Sequence, residues 1–242
     1  MMKILLTELH SCSYLADKQA RTGFVDPEVS VNQELYQTLN NLGFRRSGPH
    51  FYRPECPGCN ACQSVRIPIH QFKPNRNQRR IYQRNDDLDI KLVKAEFRPD
   101  NYRLYENYIR TRHEDGDMFP PSPEQFRGFL IEGGIRTFHL EIHHQGQLIG
   151  CAVTDQLQDG LSAIYTFFDP QLEQRSLGTF AIMAQVQLCR EWQLPYLYLG
   201  YWVPGSQKMM YKTRFKPLEV LRHGQWTALT DTDIEFQNTN LR

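Results

Sequence analysis

Arg136-Thr-Phe-His-Leu-Glu-Ile-His-His-Gln-Gly146-Gln-Leu-Ile-Gly-Cys-Ala-Val-Thr-Asp-Gln-Leu-Gln-Asp-Gly160-Leu-Ser-Ala-Ile-Tyr-Thr-Phe-Phe168 is the stretch that decides the fold. Apolar and aromatic runs are interrupted at Gln145-Gly146 and Asp159-Gly160, both tight-turn pairs. Strands are therefore predicted over 136–144, 147–157 and 161–168, joined as an antiparallel meander. Toward the carboxyl terminus, residues 176–192 form a helix with Leu177, Phe180, Ala181, Ala184 and Leu188 on one face. A strand over 196–202, a short helix over 207–215, two short strands and a polar tail complete the chain.

That order of meander, helix, strand and helix is the order of acetyltransferase-like folds. The predicted class is α/β (α+β), with an acetyltransferase-like mixed sheet in the C-terminal half and a smaller cysteine-containing N-terminal domain. The boundary falls near residue 95, giving domains 1–95 and 96–242.

Upstream of the meander, Ser122-Pro-Glu-Gln125 is a helix start, with Ser122 as cap and Gln125 reaching back. Asp100 caps an earlier helix whose Tyr102, Tyr105, Tyr108 and Ile109 share a face, read as core packing. The loop His113-Glu-Asp-Gly-Asp-Met118 lacks the spacing of a calcium loop. Leu88, Ile90 and Leu92 alternate with Asp89 and Lys91, the pattern of a strand. Val31, Leu35, Leu39 and Leu42 recur at helical spacing up to the stop at Gly43. Val65-Arg-Ile-Pro-Ile69 reads as an edge strand, because Pro68 has no ladder donor.

The chain has 242 residues, is 40% hydrophobic and carries a net charge of +1. That is enough for a real core in one large or two small domains. The overall field offers nothing to a polyanion, so such a partner must meet a local patch. Six cysteines without a signal peptide fit a reducing compartment. No run approaches the ~20 apolar residues of a membrane span. The expectation is a soluble, cytoplasmic protein with no membrane partner.

The local patch lies between Cys56 and Asn85, where no acidic residue occurs. The window holds Arg66, Lys73, Arg76, Arg79, Arg80 and Arg84. As a helix, it places Arg76, Arg79, Arg80 and Arg84 largely on one side. That face suits nucleic-acid phosphates or the carboxylate of an acidic substrate, and a plain solvated face is the bland alternative. The same window opens with Cys56-Pro-Gly-Cys59-Asn-Ala-Cys62. Thiolates at this spacing converge across a turn and hold zinc or part of an iron–sulfur cluster when a fourth ligand joins. Cys12, His10, His50 and His70 are available for that role, and three reduced thiols in a metal-free loop are the alternative.

In acetyltransferases of this topology the loop entering the main helix reads Arg/Gln-x-x-Gly-x-Gly/Ala and binds a pyrophosphate. Here Arg175-Ser-Leu-Gly178-Thr-Phe180 begins that way and ends on a ring. The ring argues against a coenzyme A donor, so an N-acetyltransferase is the weaker reading.

The ordered motifs resemble the bacterial, leucyl-transferring branch of the aminoacyl-tRNA–protein transferase family. They are Cys12-Ser-Tyr-Leu15, His50-Phe-Tyr-Arg-Pro54 with the cysteine loop, and Asn75-Arg-Asn-Gln-Arg-Arg80. Next come Asp115-Gly-Asp117, Tyr165-Thr-Phe-Phe-Asp-Pro170, Ser176-Leu-Gly178 and Leu199-Gly-Tyr-Trp202. Lys208-Met-Met-Tyr-Lys212 and Phe215-Lys-Pro217 close the series. The resemblance implies transfer of leucine from leucyl-tRNA to the α-amino group of proteins beginning with Asp or Glu, marking them for N-degron degradation. Arginyl-transferring members carry a second cysteine where this chain has Leu15, and adjacent cysteines in the second cluster. Ser206 stands where relatives show cysteine. The metal site of the arginyl branch therefore does not carry over residue by residue. An arginyl-transferring enzyme and a non-catalytic, metal-stabilised tRNA-binding module are the rival readings.

An aminoacyl ester is already activated, so the enzyme's task is positioning, and no cofactor is required for the chemistry. The candidates at the reacting centre are Tyr165 and Asp169, with a core tyrosine and a helix-entry aspartate as the plainer alternative. Phe167 and Phe168 are candidates for the leucine pocket. Arg175 and Gly178 are candidates for the donor end, and Arg76, Arg79, Arg80 and Arg84 for tRNA. Arg76 and Arg80 are also candidates for the acceptor's acidic side chain. Cys12, Cys56, Cys59 and Cys62 are the candidate ligands for zinc or an iron–sulfur cluster.

Overall fold

The computed structural model describes residues 2–16, 18–116, 118–133 and 135–240, so Asp117 of the acidic loop lies outside it. The amino-terminal strands are β1 (Ile4–Leu6), β2 (His10–Ser11), β3 (Gln19–Ala20) and β4 (Thr22–Val25), followed by α1 (Gln33–Asn41). Then come β5 (Arg45–Ser47), β6 (His50–Pro54), β7 (Gln63–Pro68), α2 (Arg76–Arg84) and β8 (Leu88–Lys94). Helices α3 (Pro99–Arg112) and α4 (Pro123–Leu130) precede the meander β9 (Thr137–His144), β10 (Gln147–Gln156) and β11 (Gly160–Phe168). The chain ends with α5 (Leu177–Glu191), β12 (Tyr196–Trp202), a 3-10 helix (Gln207–Arg214), β13 (Glu219–Arg222), β14 (Gln225–Ala228) and α6 (Asp231–Asn240).

The meander forms as predicted. Gln145 and Gly146 take φ of 50° and 82°, both left-handed, as a type I′ turn requires. The fold is mixed α/β, with an eight-stranded sheet of order β14-β13-β7-β12-β11-β10-β9-β8. A four-stranded sheet of order β1-β4-β6-β5 packs with α1 beside it. Two strands from the first 95 residues, β7 and β8, lie in the large sheet. The predicted edge strand is interior: β12 pairs with β7 from Gln63 to Pro68, while β13 reaches only Val65 and Arg66. Pro68 is tolerated because it ends the strand beyond the reach of β13.

Successive strand residues face opposite sides of a sheet. Leu140 and Ala152 pack with Leu177, Phe180, Ala181 and Ala184 of α5. Their neighbours Cys151 and Val153, with Phe167, pack with Tyr105, Ile109, Phe126 and Leu130 of α3 and α4. Likewise Leu197 and Leu199 join the α5 side, while Tyr198 packs with Tyr36 and Leu39 of α1. The small sheet and the α3–α4 pair therefore share the face opposite α5. Each fully buried Leu or Phe contributes about 1.5–3 kcal/mol.

A fully buried ion pair clasps the small sheet to the large one. Arg46 Nε and Nη2 donate to Asp155 at 2.5 and 2.8 Å, and neither side chain is exposed. Tyr36 and Thr137 hydroxyls also donate to Asp155, at 2.9 and 2.6 Å.

Three local readings are corrected. The cap position of α3 is Arg98, with Pro99 in the first turn, so Asp100 lies inside the helix. Ser122 caps α4 as predicted, but Gln125 accepts from the Tyr105 hydroxyl at 3.1 Å instead of reaching back. The carboxyl tail carries α6 instead of remaining irregular.

Candidate active site

Strands β11 and β12 are parallel and pair only where Gly160, Leu161 and Ser162 meet Tyr196, Leu197 and Tyr198. They run on to Phe168 and Trp202 with no further pairing among the described residues. The sheet thus opens into a V at their carboxyl ends, where α/β sheets present ligand crevices.

On the β11 side stands Tyr165. Its hydroxyl is buried and has no hydrogen-bond partner among the described residues. Burial pushes this phenol far above its ordinary pKa, with Tyr108 and Tyr105 adding to the effect. The ring lies 5.4 Å from Phe129 and 6.4 Å from Tyr108. Tyr108 continues the wall to Phe168 at 5.0 Å and His113 at 5.2 Å. The 3-10 helix brings Tyr211 from the other side. Tyr211 is 42% exposed, and burial, then the Tyr108 phenol, raise its pKa to about 12. Lys208 and Asp115 approach to 3.9 Å, linking that helix to the loop after α3.

The floor of this mouth is the start of α5. Ser176 is left-handed, with φ 53°, and provides no side-chain cap, so the first amides of the helix are open. A Cβ at Gly178 would lie 3.4 Å from the Phe168 ring, which places this first turn against that ring. Phe180 does not project over this loop. It is 2% exposed and packs inward, 5.6 Å from Tyr82 of α2. The obstruction expected from its ring is therefore absent, and the neighbour of this helix end is α2.

Helix α2 begins with a reciprocal capping box between Asn75 and Gln78, at 2.9 and 2.8 Å, although no acid occupies its first turn. Gln78 and Ile81 face inward, while Arg76, Arg79, Arg80 and Arg84 are all exposed. Among the described residues none of the four has an acidic partner. Arg79 donates to the Pro74 carbonyl at 2.6 Å and Arg84 to the Gln174 carbonyl. The basic face therefore adjoins the turn leading into α5.

Other predicted residues are engaged elsewhere. Arg175 forms a two-pronged pair with Asp87 at 2.8 and 2.9 Å and reaches Asn85 at 3.3 Å. Asp169 accepts from the Gln171 amide at 3.0 Å and shapes the turn after β11. Phe167 is fully buried among α3 and α4, whereas Phe168, at the strand end, packs toward the start of α5 and also against Tyr108. The two rings do not line one pocket.

A second feature is a cleft of about 690 Å³ lined by Cys56, Cys59, Cys62, Gly43, Arg53, Tyr201 and Arg222. The Cys62 thiol is pushed up to about 12 by burial, with Cys12, Cys56 and Cys59 adding like-charge repulsion. The four predicted sulfurs thus share one corner of the molecule. Among the described residues no three His, Cys, Asp or Glu side chains are grouped to hold an ion. Cys56 instead exchanges contacts with the backbone of Arg21, at 3.4 and 3.6 Å.

Sequence reasoning read Tyr108 as core packing and assigned no role to Tyr211 or Lys212. The signal available was the Lys208-Met-Met-Tyr-Lys212 motif itself.

Residues 10–80 match the family model described as arginine-tRNA-protein transferase, N terminus, and residues 100–222 match its C-terminus counterpart. Aspartate/glutamate leucyltransferase of Marinobacter nauticus is 54% identical over 224 residues, covering 93% of this chain and 94% of that protein. The Hahella chejuensis protein of the same name is 50% identical over 223 residues, covering 92% and 95%. Among solved structures, the C-terminal domain of a putative lysylphosphatidylglycerol synthetase from Agrobacterium fabrum aligns with a TM-score of 0.49 at 11% identity, covering 86% of this chain and 69% of that one.

Proposed function

This chain belongs to the arginine-tRNA-protein transferase family, and on that premise we propose that it moves leucine from leucyl-tRNA to the α-amino group of proteins beginning with Asp or Glu. The observation that carries the reading is identity of 50–54% along nearly the whole chain to proteins named for that activity. The product is a protein with a new leucine at its amino terminus, fit for recognition by a degradation system. No helix among the described residues is long and apolar enough to cross a membrane.

On this reading the tRNA acceptor stem lies along α2, whose exposed arginines meet its phosphates. The 3′ end reaches the open amides at the start of α5, a ready site for its last phosphate. The leucine side chain enters the aromatic wall of Tyr108, Phe129 and Phe168. The acceptor amine has a pKa of roughly 7.7–8.0, so a useful minority of it is neutral at cellular pH. Its nitrogen attacks the ester carbonyl carbon, and the oxygen gains negative charge. Tyr165, kept protonated by burial and lacking another partner, donates a hydrogen bond to that oxygen. The bond to the ribose oxygen then breaks, and the proton lost from nitrogen is balanced by one gained by that oxygen.

Transfer of labelled leucine or arginine from charged tRNA to peptides beginning with Asp, Glu or Ala tests the reading. Leucine on Asp and Glu peptides alone is the expected result. Arginine transfer would keep the family and overturn the donor, and no transfer of either would overturn the activity.

A further inference from the structure

Resting on the function just proposed, we infer that Arg45 and Lys212 form the subsite that recognises the acceptor's first side chain, by holding its carboxylate. Both cations are buried, 7% and 5% exposed, and neither meets a carboxylate among the described residues. Arg45 Nη1 donates to Asn40 Oδ1 at 2.8 Å. Its Nε and Nη2, with Asn40 Nδ2, have no acceptor. Lys212 Nζ has the Tyr201 carbonyl as its partner. Lys212 meets no acid; the charge that acts on it is Arg45. One interior site thus gathers surplus donors from Arg45, Asn40 and Lys212 with no carboxylate to receive them.

Such an arrangement is costly in the free protein, since each unmet buried donor costs about 1–3 kcal/mol. A carboxylate has the chemistry that relieves it: one negative charge and up to four acceptor positions for donors that converge from two directions. The contrast with the other buried arginine is informative, because Arg46, the next residue, is satisfied by Asp155. The arginines of α2 are exposed and so suit phosphates, whereas discrimination between Asp and Asn needs a site shielded from water. The same geometry reaches the cysteine cleft. Tyr201 lines that cleft, and Arg45 lies 5.9 Å from the centroid of its ring. Tyr201 is pinned by its hydroxyl to the Gly43 and Tyr52 carbonyls at 2.7 and 3.3 Å.

The test compares peptides beginning with Asp and with Asn, using wild type, Arg45→Met and Lys212→Met. Each Met variant is expected to lose about a hundredfold in kcat/KM for the Asp peptide. The ratio of Asp to Asn rates falls toward one, while KM for leucyl-tRNA stays constant. Arg45→Lys and Lys212→Arg should restore part of the ratio, which a merely structural role would not. A folded Met variant that keeps the wild-type ratio would overturn the assignment. Wild type that moves no leucine at all would overturn the function itself, a distinguishable failure. Should the Met variants not fold, calorimetric titration of wild type with Asp- and Asn-initiated dipeptides near pH 8 decides. The Asp peptide should take up more protons than the Asn peptide, because its carboxylate recharges Lys212, which faces Arg45, the Tyr201 carbonyl and the Tyr211 ring. Equal uptake would refute the subsite.

Discussion

Replacing Arg76 and Arg80 together by glutamine isolates the electrostatic role of α2. Both side chains are exposed, and neither has an acidic partner among the described residues. Each phosphate neutralised contributes about 0.7–0.9 to the slope of log K against log salt. Losing two should therefore reduce the slope by about 1.4–1.8 and weaken binding roughly 25- to 60-fold at 0.1 M salt. Stability should hardly change, because surface substitutions usually stay within about 0.5 kcal/mol. Filter binding of leucyl-tRNA across a salt series measures the slope, and thermal melting checks the fold. A normal slope in a double variant that still binds would refute the placement of tRNA along α2. Arg79 and Arg84, already donating to the Pro74 and Gln174 carbonyls, should give smaller effects when replaced singly.

Asp155→Ala leaves the Arg46 charge buried without its partner and should cost about 3–5 kcal/mol in urea unfolding; a loss under about 1 kcal/mol would show that the clasp is dispensable. Tyr165→Phe removes a hydroxyl that has no partner among the described residues, so melting should be unchanged or slightly higher while single-turnover transfer slows at least about tenfold. An unchanged rate would remove Tyr165 from the reacting centre. Lys212 has its pKa lowered from 10.5 to about 7, first by burial and then by Arg45. Between those values the unfolded chain binds the proton and the folded chain does not, so stability rises with pH, by up to about 1.4 kcal/mol per unit. Urea melts at pH 7, 8 and 9 should show that slope in wild type and lose it in Lys212→Met.

The parts of the fold written in local pattern were readable. The Gln145-Gly146 turn, the α5 face and the Ser122 cap all depend on neighbours within a few residues. The position of β7 was not, because Pro68 signals a missing donor but not whether another strand reaches that far. The candidate site was half legible. Tyr165 and Phe168 stand out on their strand, yet Tyr108 and Tyr211 become neighbours only when α3 and the 3-10 helix, about a hundred residues apart, close over one strand end. Periodicity assigned Tyr108 to a core face, which is true of Tyr105 two positions nearer the helix centre on the same stripe. The buried cations were hidden for a similar reason: nothing local separates Arg45 from Arg46, though one is paired and its neighbour is not.

The interior place of β7 bears on how the molecule is made. This strand ends at Pro68, but its two neighbours in the sheet begin at Tyr196 and Glu219. During synthesis at about 5–20 residues per second, β7 waits roughly 6–26 s for its first partner. Throughout that interval the apolar Val65 and Ile67 of the strand lack the neighbours that bury them in the finished sheet. The basic, acid-free segment just after it, residues 73–84, emerges in the same window and flanks that apolar strand with charge. The segment offered here as a grip for tRNA thus also serves the chain before any tRNA can bind.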